Sequence, residues 1–350
     1  MMKNLKKRFI LFSFVVLVLF TLTGCGGDGK ITINVYNWGE YMDETLVDEF
    51  EEKYGINVNY EVYDTNEAMY QKIKPGGVNY DVAFPSDYMI SKMIREDMLY
   101  EIDFNNVPNY KYIDDKFKDL EYDPNNQYSV PYMWGTVGIL YNKTMVKEPV
   151  DSWNILWDEK YEKQIFMKDS QRETIGVALQ KLGYSLNTRN LDELEEAKEE
   201  LIKQKPLVLA YVVDELKDKM ISGEAALAVT WAGDAAVIIE SNPDLAYVVP
   251  REGSNFFVDG MVIPKTSKHK KEAEMFINFI CEPEIAFKNT VHIGYSTPHI
   301  EAKKMLPEEV ANNPVAYPGD DILEKCQVYK DLGDMVKVYD RIWTEVKAAK

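Results

Sequence analysis

The chain of 350 residues is strongly acidic, with 58 Asp and Glu residues against 40 Lys and Arg residues and a formal net charge of −18. This charge argues against nucleic acid or an anionic membrane surface as a partner, because both would repel the protein. The length exceeds what one hydrophobic core usually supports, so we expect two domains.

The N-terminus has the pattern of an export signal followed by a lipid attachment site. Basic residues precede an uncharged run over residues 9–22, which has the length of a signal-peptide core rather than of a membrane span. Residues 22–25, Leu-Thr-Gly-Cys, resemble a bacterial lipobox. The resemblance implies a signal peptide over residues 1–24, acylation of Cys25 and a tether over residues 25–30. The alternative is an ordinary signal peptide followed by a chance cysteine.

The mature chain is therefore expected outside the cytoplasm. Lipid on Cys25 would anchor it to the outer face of the cytoplasmic membrane, on the periplasmic side if the host is Gram-negative. Its net charge would be −22, because the signal carries four positive charges and no negative ones. The remaining cysteines, Cys281 and Cys326, are expected to be buried free thiols.

The first hundred mature residues alternate strands and helices. Residues 31–35 have the period of a half-buried strand, and a helix opening at Asp43 ends at Gly55, where a left-handed C-terminal cap is needed. Further elements are expected at residues 56–63 (strand), 66–74 (helix), 80–85 (strand) and from Asp87 (helix). This βαβαβα order predicts an α/β domain with a parallel sheet.

A second α/β region follows. We expect strands at residues 164–167 and 225–231, helices at residues 172–181, 191–204 and 234–240, and a mainly helical part after residues 261–264, with its clearest helix at residues 271–281. Two lobes without a long linker indicate a cleft protein whose chain crosses between the lobes more than once. Ligands of open parallel sheets lie beyond the carboxyl ends of strands, which facing lobes would place in the cleft.

The sequence lacks the motifs of metal, nucleotide and catalytic-triad enzymes. Its three histidines are scattered, and no CxxC, HExxH, GxGxxG, P-loop or GxSxG pattern occurs. We therefore expect no metal, no cofactor and no enzymatic activity.

Aromatic and acidic residues share the neighbourhoods of the predicted strand ends. Rings attract a cation by roughly 0.5–2 kcal/mol per contact, and a desolvated ammonium also needs a carboxylate, so this mixture indicates a site for an organic ammonium ion. The alternative is that the rings are core residues and the acids are solvated. The candidates are Trp38, Tyr41, Tyr88, Trp231 and Tyr295, with Glu40, Asp169, Glu173, Asp234 and Asp259.

At these residues the sequence resembles the spermidine/putrescine-binding proteins of polyamine ABC importers. The matching segments follow the family's order across the mature chain: residues 36–41 (YNWGEY), 66–70 (NEAMY), 85–88 (PSDY), 129–135 (SVPYMWG), 172–173 (RE), 182–185 (LGYS), 223–225 (GEA) with Trp231, 250–253 (PREG), Asp259 with 263–264 (IP), and 293–298 (IGYSTP).

The resemblance implies a type II periplasmic-binding-protein fold, with two α/β lobes closing on the ligand. The N-terminal lobe would comprise residues 31–135 and 259–303, and the C-terminal lobe residues 136–258 and 304–350, with crossovers near residues 134–137 and 258–260. It implies a monomeric, non-enzymatic receptor that captures putrescine or spermidine and delivers it to a membrane permease.

The resemblance also assigns roles to particular residues. Glu173 and Asp259 would pair with ammonium groups, and Ser86 would supply a polar contact. The aromatic box would be formed by Trp38, Tyr41, Tyr88, Trp231 and Tyr295.

Several positions depart from the family pattern. Phe257 replaces a tryptophan and is the poorer cation-π partner, Gly39 replaces a threonine, and Val213 replaces a serine. Ser170 replaces an acid for which the adjacent Asp169 could substitute. Near the C-terminus the corresponding contact is Tyr329, or alternatively Gln327. Fewer polar groups favour a ligand with fewer ammonium groups, with putrescine bound at least as well as spermidine.

Two other functions remain open at this stage. The same fold could bind another small solute, such as an amino acid, thiamine, an iron complex or a sugar stacked on Trp38 and Trp231. An exported hydrolase could use Glu173 and Asp259 as paired carboxylates, as glycosidases do.

Overall fold

The computed structural model describes residues 30–349. The predicted signal peptide, the predicted lipidation site Cys25 and most of the predicted tether lie outside these residues. No helix within residues 30–349 combines the length and the apolar character needed to cross a bilayer.

The N-terminal region has the predicted βαβαβα order. Gly55 ends the first helix with φ 67°, and its N–H donates to the Glu51 carbonyl at 2.9 Å, as expected for a left-handed cap. The elements are β1 Thr32–Trp38, α1 Thr45–Tyr54, β2 Asn57–Tyr63, α2 Asn66–Ile73, β3 Val82–Ala83 and α3 Asp87–Arg95.

The rest of the chain adds six strands, ten α-helices and short 3₁₀ turns within the described residues. The strands are β4 Ser129–Asn142, β5 Ile165–Lys168, β6 Val208–Val212, β7 Leu227–Trp231, β8 Leu245–Val248 and β9 Phe256–Val262. The α-helices are α4 Gln171–Lys181, α5 Leu191–Gln204, α6 Leu216–Ile221, α7 Ala232–Ser241, α8 Lys270–Ile280, α9 Pro283–Ile293, α10 Ile300–Met305, α11 Glu308–Ala311, α12 Asp320–Leu323 and α13 Val336–Ala348. The 3₁₀ turns are Pro108–Tyr112, Asp115–Phe117, Trp153–Trp157, Glu159–Tyr161, Lys205–Leu207 and Gly333–Met335.

The nine strands form a sheet in the order β2-β1-β3-β9-β4-β7-β5-β6, with β8 beside β4. The outer parts are parallel as predicted, since β1 pairs with β2 and β3, and β5 pairs with β6 and β7. The middle of the sheet, for which no arrangement was predicted, is antiparallel, because β9 and β4 run antiparallel to their neighbours.

The long strand β4 joins the two parts of the sheet. Its first half pairs with β9, from Ser129–Val262 to Thr136–Phe256, and its second half pairs with β7 and β8. Nearly every residue of β4 is buried. Both expected crossovers fall on this β4–β9 pair, while the exact division into lobes stays a prediction.

Separate apolar cores support the two parts. One core packs α1–α3, α8 and α9 against β1, β3 and β9. In the other part, one core packs the 3₁₀ turns against β4–β7, and another packs α6 and α7 against the same strands. The C-terminal helix α13 packs on α4 and α5 through Tyr339, Ile342 and Val346. Cys281 and Cys326 are both free; Cys281 is buried as expected, but Cys326 is only partly buried.

Candidate ligand-binding cleft

The two parts of the sheet face each other across a cleft of about 880 Å³, a volume that includes the open solvent at its mouth. The cleft brings together all the residues that were predicted to bind ligand. They are Trp38, Tyr41, Ser86, Tyr88, Asp169, Glu173, Trp231, Phe257, Asp259, Tyr295 and Tyr329. Their individual contacts with a ligand stay predictions.

Junctions between strands and helices place most of these side chains. Trp38 ends β1, and Trp231 ends β7 and leads directly into α7. Ser86 is the residue before α3, and Glu173 lies in the first turn of α4. The cleft therefore collects strand ends and helix N-termini, where acidic side chains interact favourably with the helix dipole.

A buried carboxylate forms one wall. Asp259 is 5% exposed, and its Oδ2 accepts a hydrogen bond from the Tyr41 hydroxyl at 2.7 Å. Within residues 30–349, its Oδ1 has no hydrogen-bond partner. Burial raises the pKa of Asp259 to about 6, although the Ser86 and Tyr41 hydroxyls act in the opposite direction. This oxygen therefore keeps an unused capacity to accept a hydrogen bond.

Aromatic rings surround this carboxylate. The Tyr41 and Tyr295 rings meet edge to face with centroids 4.8 Å apart, and Phe257 lies 6.4 Å from Tyr295. Trp38 packs against Tyr63 at 4.7 Å, and its Nε1 donates to the Phe84 carbonyl at 2.8 Å. These fixed rings offer faces to a cation and apolar walls to methylene groups.

A second wall combines Tyr88 and Tyr329 with a protein cation. The Arg172 guanidinium lies 5.0 Å from the Tyr88 centroid and 4.2 Å from the Tyr329 centroid. The Tyr88 hydroxyl donates to Glu67 Oε1 at 3.0 Å, while burial raises the pKa of Glu67. Glu173 accepts a hydrogen bond from Ser170.

Two lysines meet at Asp234 on the far side of the cleft. Lys168 Nζ lies 3.6 Å from Asp234 Oδ2, and Lys217 Nζ lies 3.6 Å from Asp234 Oδ1. Lys168 is fully buried, and its Nζ stands 3.5 Å from the Trp231 ring centroid. Desolvation acts to lower the pKa of Lys217, but nearby carboxylates outweigh it, so that this pKa is raised and the ammonium stays charged.

The departures from the family pattern also lie in the cleft. A Cβ atom on Gly39 would come within 2.9 Å of Asp214 Oδ2, so glycine leaves room for this carboxylate. Val213 and Ser170 line the wall as well. Asp169 accepts from Lys347 Nζ at 2.6 Å, so it already has a cationic partner.

The structure also shows where the two candidates for the C-terminal ligand contact, Tyr329 and Gln327, lie. Tyr329 lines the cleft, and its hydroxyl donates to the Arg172 carbonyl at 2.8 Å. The Gln327 amide oxygen instead accepts from Ser185 Oγ at 2.8 Å and from the Leu186 N–H at 3.1 Å. Tyr329 is thus the better placed of the two.

Sequence reasoning did not identify several residues of the cleft. Glu67, Asp214 and Lys217 line it, and Lys168 lies behind Trp231. Glu67 belongs to a segment that carries the resemblance, which was a usable signal. Lys168 directly follows three buried apolar strand residues, a place where a lysine needs a partner, but nothing in the sequence identifies Asp234 as that partner.

Comparisons with known proteins agree with this architecture. Residues 45–317 match the family described as bacterial extracellular solute-binding protein. The chain is 38% identical over 322 residues to the spermidine/putrescine-binding periplasmic protein 1 of Haemophilus influenzae, covering 91% of this chain and 89% of that relative.

Solved structures give the same result. A Listeria monocytogenes protein described as a spermidine/putrescine ABC transporter has a TM-score of 0.89 at 44% identity, covering 91% of this chain and 99% of that one. The substrate-binding protein PotD of Streptococcus pneumoniae has a TM-score of 0.78 at 43% identity, with the same coverage. These matches confirm the predicted fold class and the resemblance. The chain belongs to the family of bacterial extracellular solute-binding proteins.

Proposed function

We propose that this protein is the substrate-binding component of an ABC importer for polyamines and that it captures putrescine or spermidine in the cleft. The observation that carries the proposal is the buried Asp259 carboxylate, which lines the cleft among aromatic rings and whose Oδ1 has no hydrogen-bond partner in residues 30–349. The names of the relatives support the same ligand class.

The chemistry of capture follows from the cleft walls. Asp259 neutralises one ammonium group, and Glu173 lies in the wall that would face another. Trp38, Trp231 and Tyr295 cover the methylene chain, which removes apolar surface from water. Both parts of the sheet contribute contacts, so a ligand binds the closed arrangement better and shifts the population toward it.

The proposal includes a place in the cell and a mode of action. The receptor is held at the membrane by lipid on Cys25, acts as a monomer and presents its closed form to a permease. No chemical step is involved, so the polyamine leaves the cleft unchanged.

Equilibrium dialysis with labelled putrescine tests this function. We expect saturable retention at one site, displacement by unlabelled spermidine, no displacement by sugars or amino acids, and recovery of intact ligand. Displacement by an unrelated solute alone would favour another ligand class. Cleavage of a glycoside by the protein would favour the hydrolase with paired carboxylates.

A further inference from the structure

One end of the cleft already contains an ammonium group that belongs to the protein. Lys217 Nζ on α6 lies 2.7 Å from Glu40 Oε2 and 3.6 Å from Asp234 Oδ1. Among the cleft-lining residues of the described chain, Lys217 is the one basic side chain. Its position between two carboxylates is the arrangement that a bound ligand ammonium would adopt.

The acid on the inner side of Lys217 is already engaged by other protein groups. Asp234 Oδ1 accepts from the Tyr295 hydroxyl at 3.0 Å, and its Oδ2 faces the fully buried Lys168 at 3.6 Å. Asp259 differs, because its Oδ1 has no partner within residues 30–349. The two acids therefore differ, because Asp259 keeps one oxygen without a partner whereas both oxygens of Asp234 contact protein groups.

Lys217 also spans the cleft at its mouth. The Glu40 side chain, in the loop after β1, is 63% exposed, whereas that of Asp234 is 7% exposed, and Lys217 lies between them. Gly39 and Asp214 approach each other at the same place, because a Cβ atom added to Gly39 would lie 2.9 Å from Asp214 Oδ2. A ligand reaching this end must displace Lys217 from both carboxylates or place a like charge beside it, and either costs binding free energy.

We propose that Lys217 is a specificity-determining residue, a tethered ammonium that occupies the Glu40–Asp234 end of the cleft and restricts the ligand to a short diamine. This inference rests on the proposed function and sharpens it. Putrescine has no further ammonium to place there, whereas spermidine does. The wild-type protein is accordingly expected to bind putrescine more tightly than spermidine.

Calorimetric titration of Lys217→Met and Lys217→Arg with putrescine and spermidine tests the inference. Methionine keeps most of the side-chain length and removes the charge, whereas arginine retains the charge. We expect Lys217→Met to raise the affinity for spermidine relative to putrescine by about tenfold, and Lys217→Arg to leave this ratio within about threefold of wild type.

Lys330→Ala is the matched control for the loss of an ion pair across the molecule. Lys330 Nζ bonds Glu121 Oε1 at 2.9 Å between exposed side chains, and neither residue lines the cleft. This variant removes an ion pair outside the cleft and is expected to leave the affinity ratio unchanged.

The outcomes separate the inference from the function on which it rests. The role of Lys217 is overturned if the wild-type protein prefers spermidine. It is also overturned if Lys217→Met changes the affinities for putrescine and spermidine by the same factor. In both cases the proposed polyamine binding stands. A folded wild-type protein that binds neither ligand overturns the proposed function and this inference with it.

Discussion

At the scale of single residues, the proposed binding depends on a carboxylate that is held out of water and has one oxygen without a hydrogen-bond partner in residues 30–349. Asp259 is fixed by the Tyr41 hydroxyl, and burial raises its pKa to about 6. A carboxyl group with a raised pKa is ionised only above that pH. Because the ionised form pairs with an ammonium, ligand affinity should be high above about pH 6 and should fall as the pH falls through this value.

We therefore predict that putrescine affinity falls about tenfold between about pH 7 and about pH 5, where the ligand keeps both charges. Asp259→Asn should bind about thirtyfold or more weakly at pH 7, because an ammonium would lose its charged partner, and should have little pH dependence. Calorimetry across this pH range measures both effects. Constant wild-type affinity down to about pH 4 would show that no such carboxylate pairs with the ligand.

The residues of the cleft differ in how far sequence predicts them. Trp38, Tyr88 and Trp231 are adjacent to recognisable strand ends, so their convergence could be predicted from the order of elements. Lys168 and Lys217 could not be predicted, since lysine is typical of surfaces and their partners lie far away in the sequence. Asp234 was identified as an acid near a strand end, but its pairing with two lysines is a property of the fold.

At the scale of elements, the junction between β7 and α7 carries one side of the cleft. Gly233, in the first turn of α7, is in close contact with the Tyr295 ring at the point where a Cβ atom would stand. The absence of a side chain lets this ring reach Asp234, to which its hydroxyl donates at 3.0 Å. The helix start and the loop after α9 therefore fix Tyr295 together.

We predict that Gly233→Ala weakens putrescine binding about tenfold or more, because the methyl group pushes the Tyr295 ring away from the wall and overpacking costs about 1–3 kcal/mol. Gly77→Ala is the matched control, since no atom lies within 4 Å of its Cβ position. Titration calorimetry and thermal unfolding of both variants separate lost binding from lost folding. Equal affinity for Gly233→Ala and wild type would contradict this role of the junction.

Sequence predicted elements with clear periodicity and missed those without it. The helix at residues 191–204 has the bounds of α5 because its buried residues recur on one face. Strand β4 was not predicted as a strand of 14 residues, since it is buried on both faces, contains Pro131 and Gly135, and does not alternate. Because β4 was not predicted, the antiparallel middle of the sheet was not predicted either.

At the scale of the whole molecule, two strands connect parts that share one cleft. The β4–β9 pair passes through the middle of the sheet, and both parts contribute to the cleft lining. Bending at this pair would open or close the cleft while each core stays intact.

We predict that Cys25→Ser releases the receptor from the membrane, because acyl chains would supply its anchoring free energy. Fractionation of cells expressing wild type and Cys25→Ser, with detection of the receptor and labelling by palmitate, measures the effect. If Cys25→Ser stays on the membrane and takes up palmitate label, the anchor lies elsewhere. As a control, the putrescine affinity of Cys25→Ser in detergent extracts should equal that of wild type.

The central claim is that the cleft binds a polyamine. The most direct test is calorimetric titration of the chain from Gly26, freed of ligand by unfolding and refolding, with putrescine, spermidine and spermine in turn. We predict one-to-one binding, tightest for putrescine. A refolded protein with native circular dichroism that gives no heat with any of the three at several temperatures would contradict the claim and direct attention to another solute.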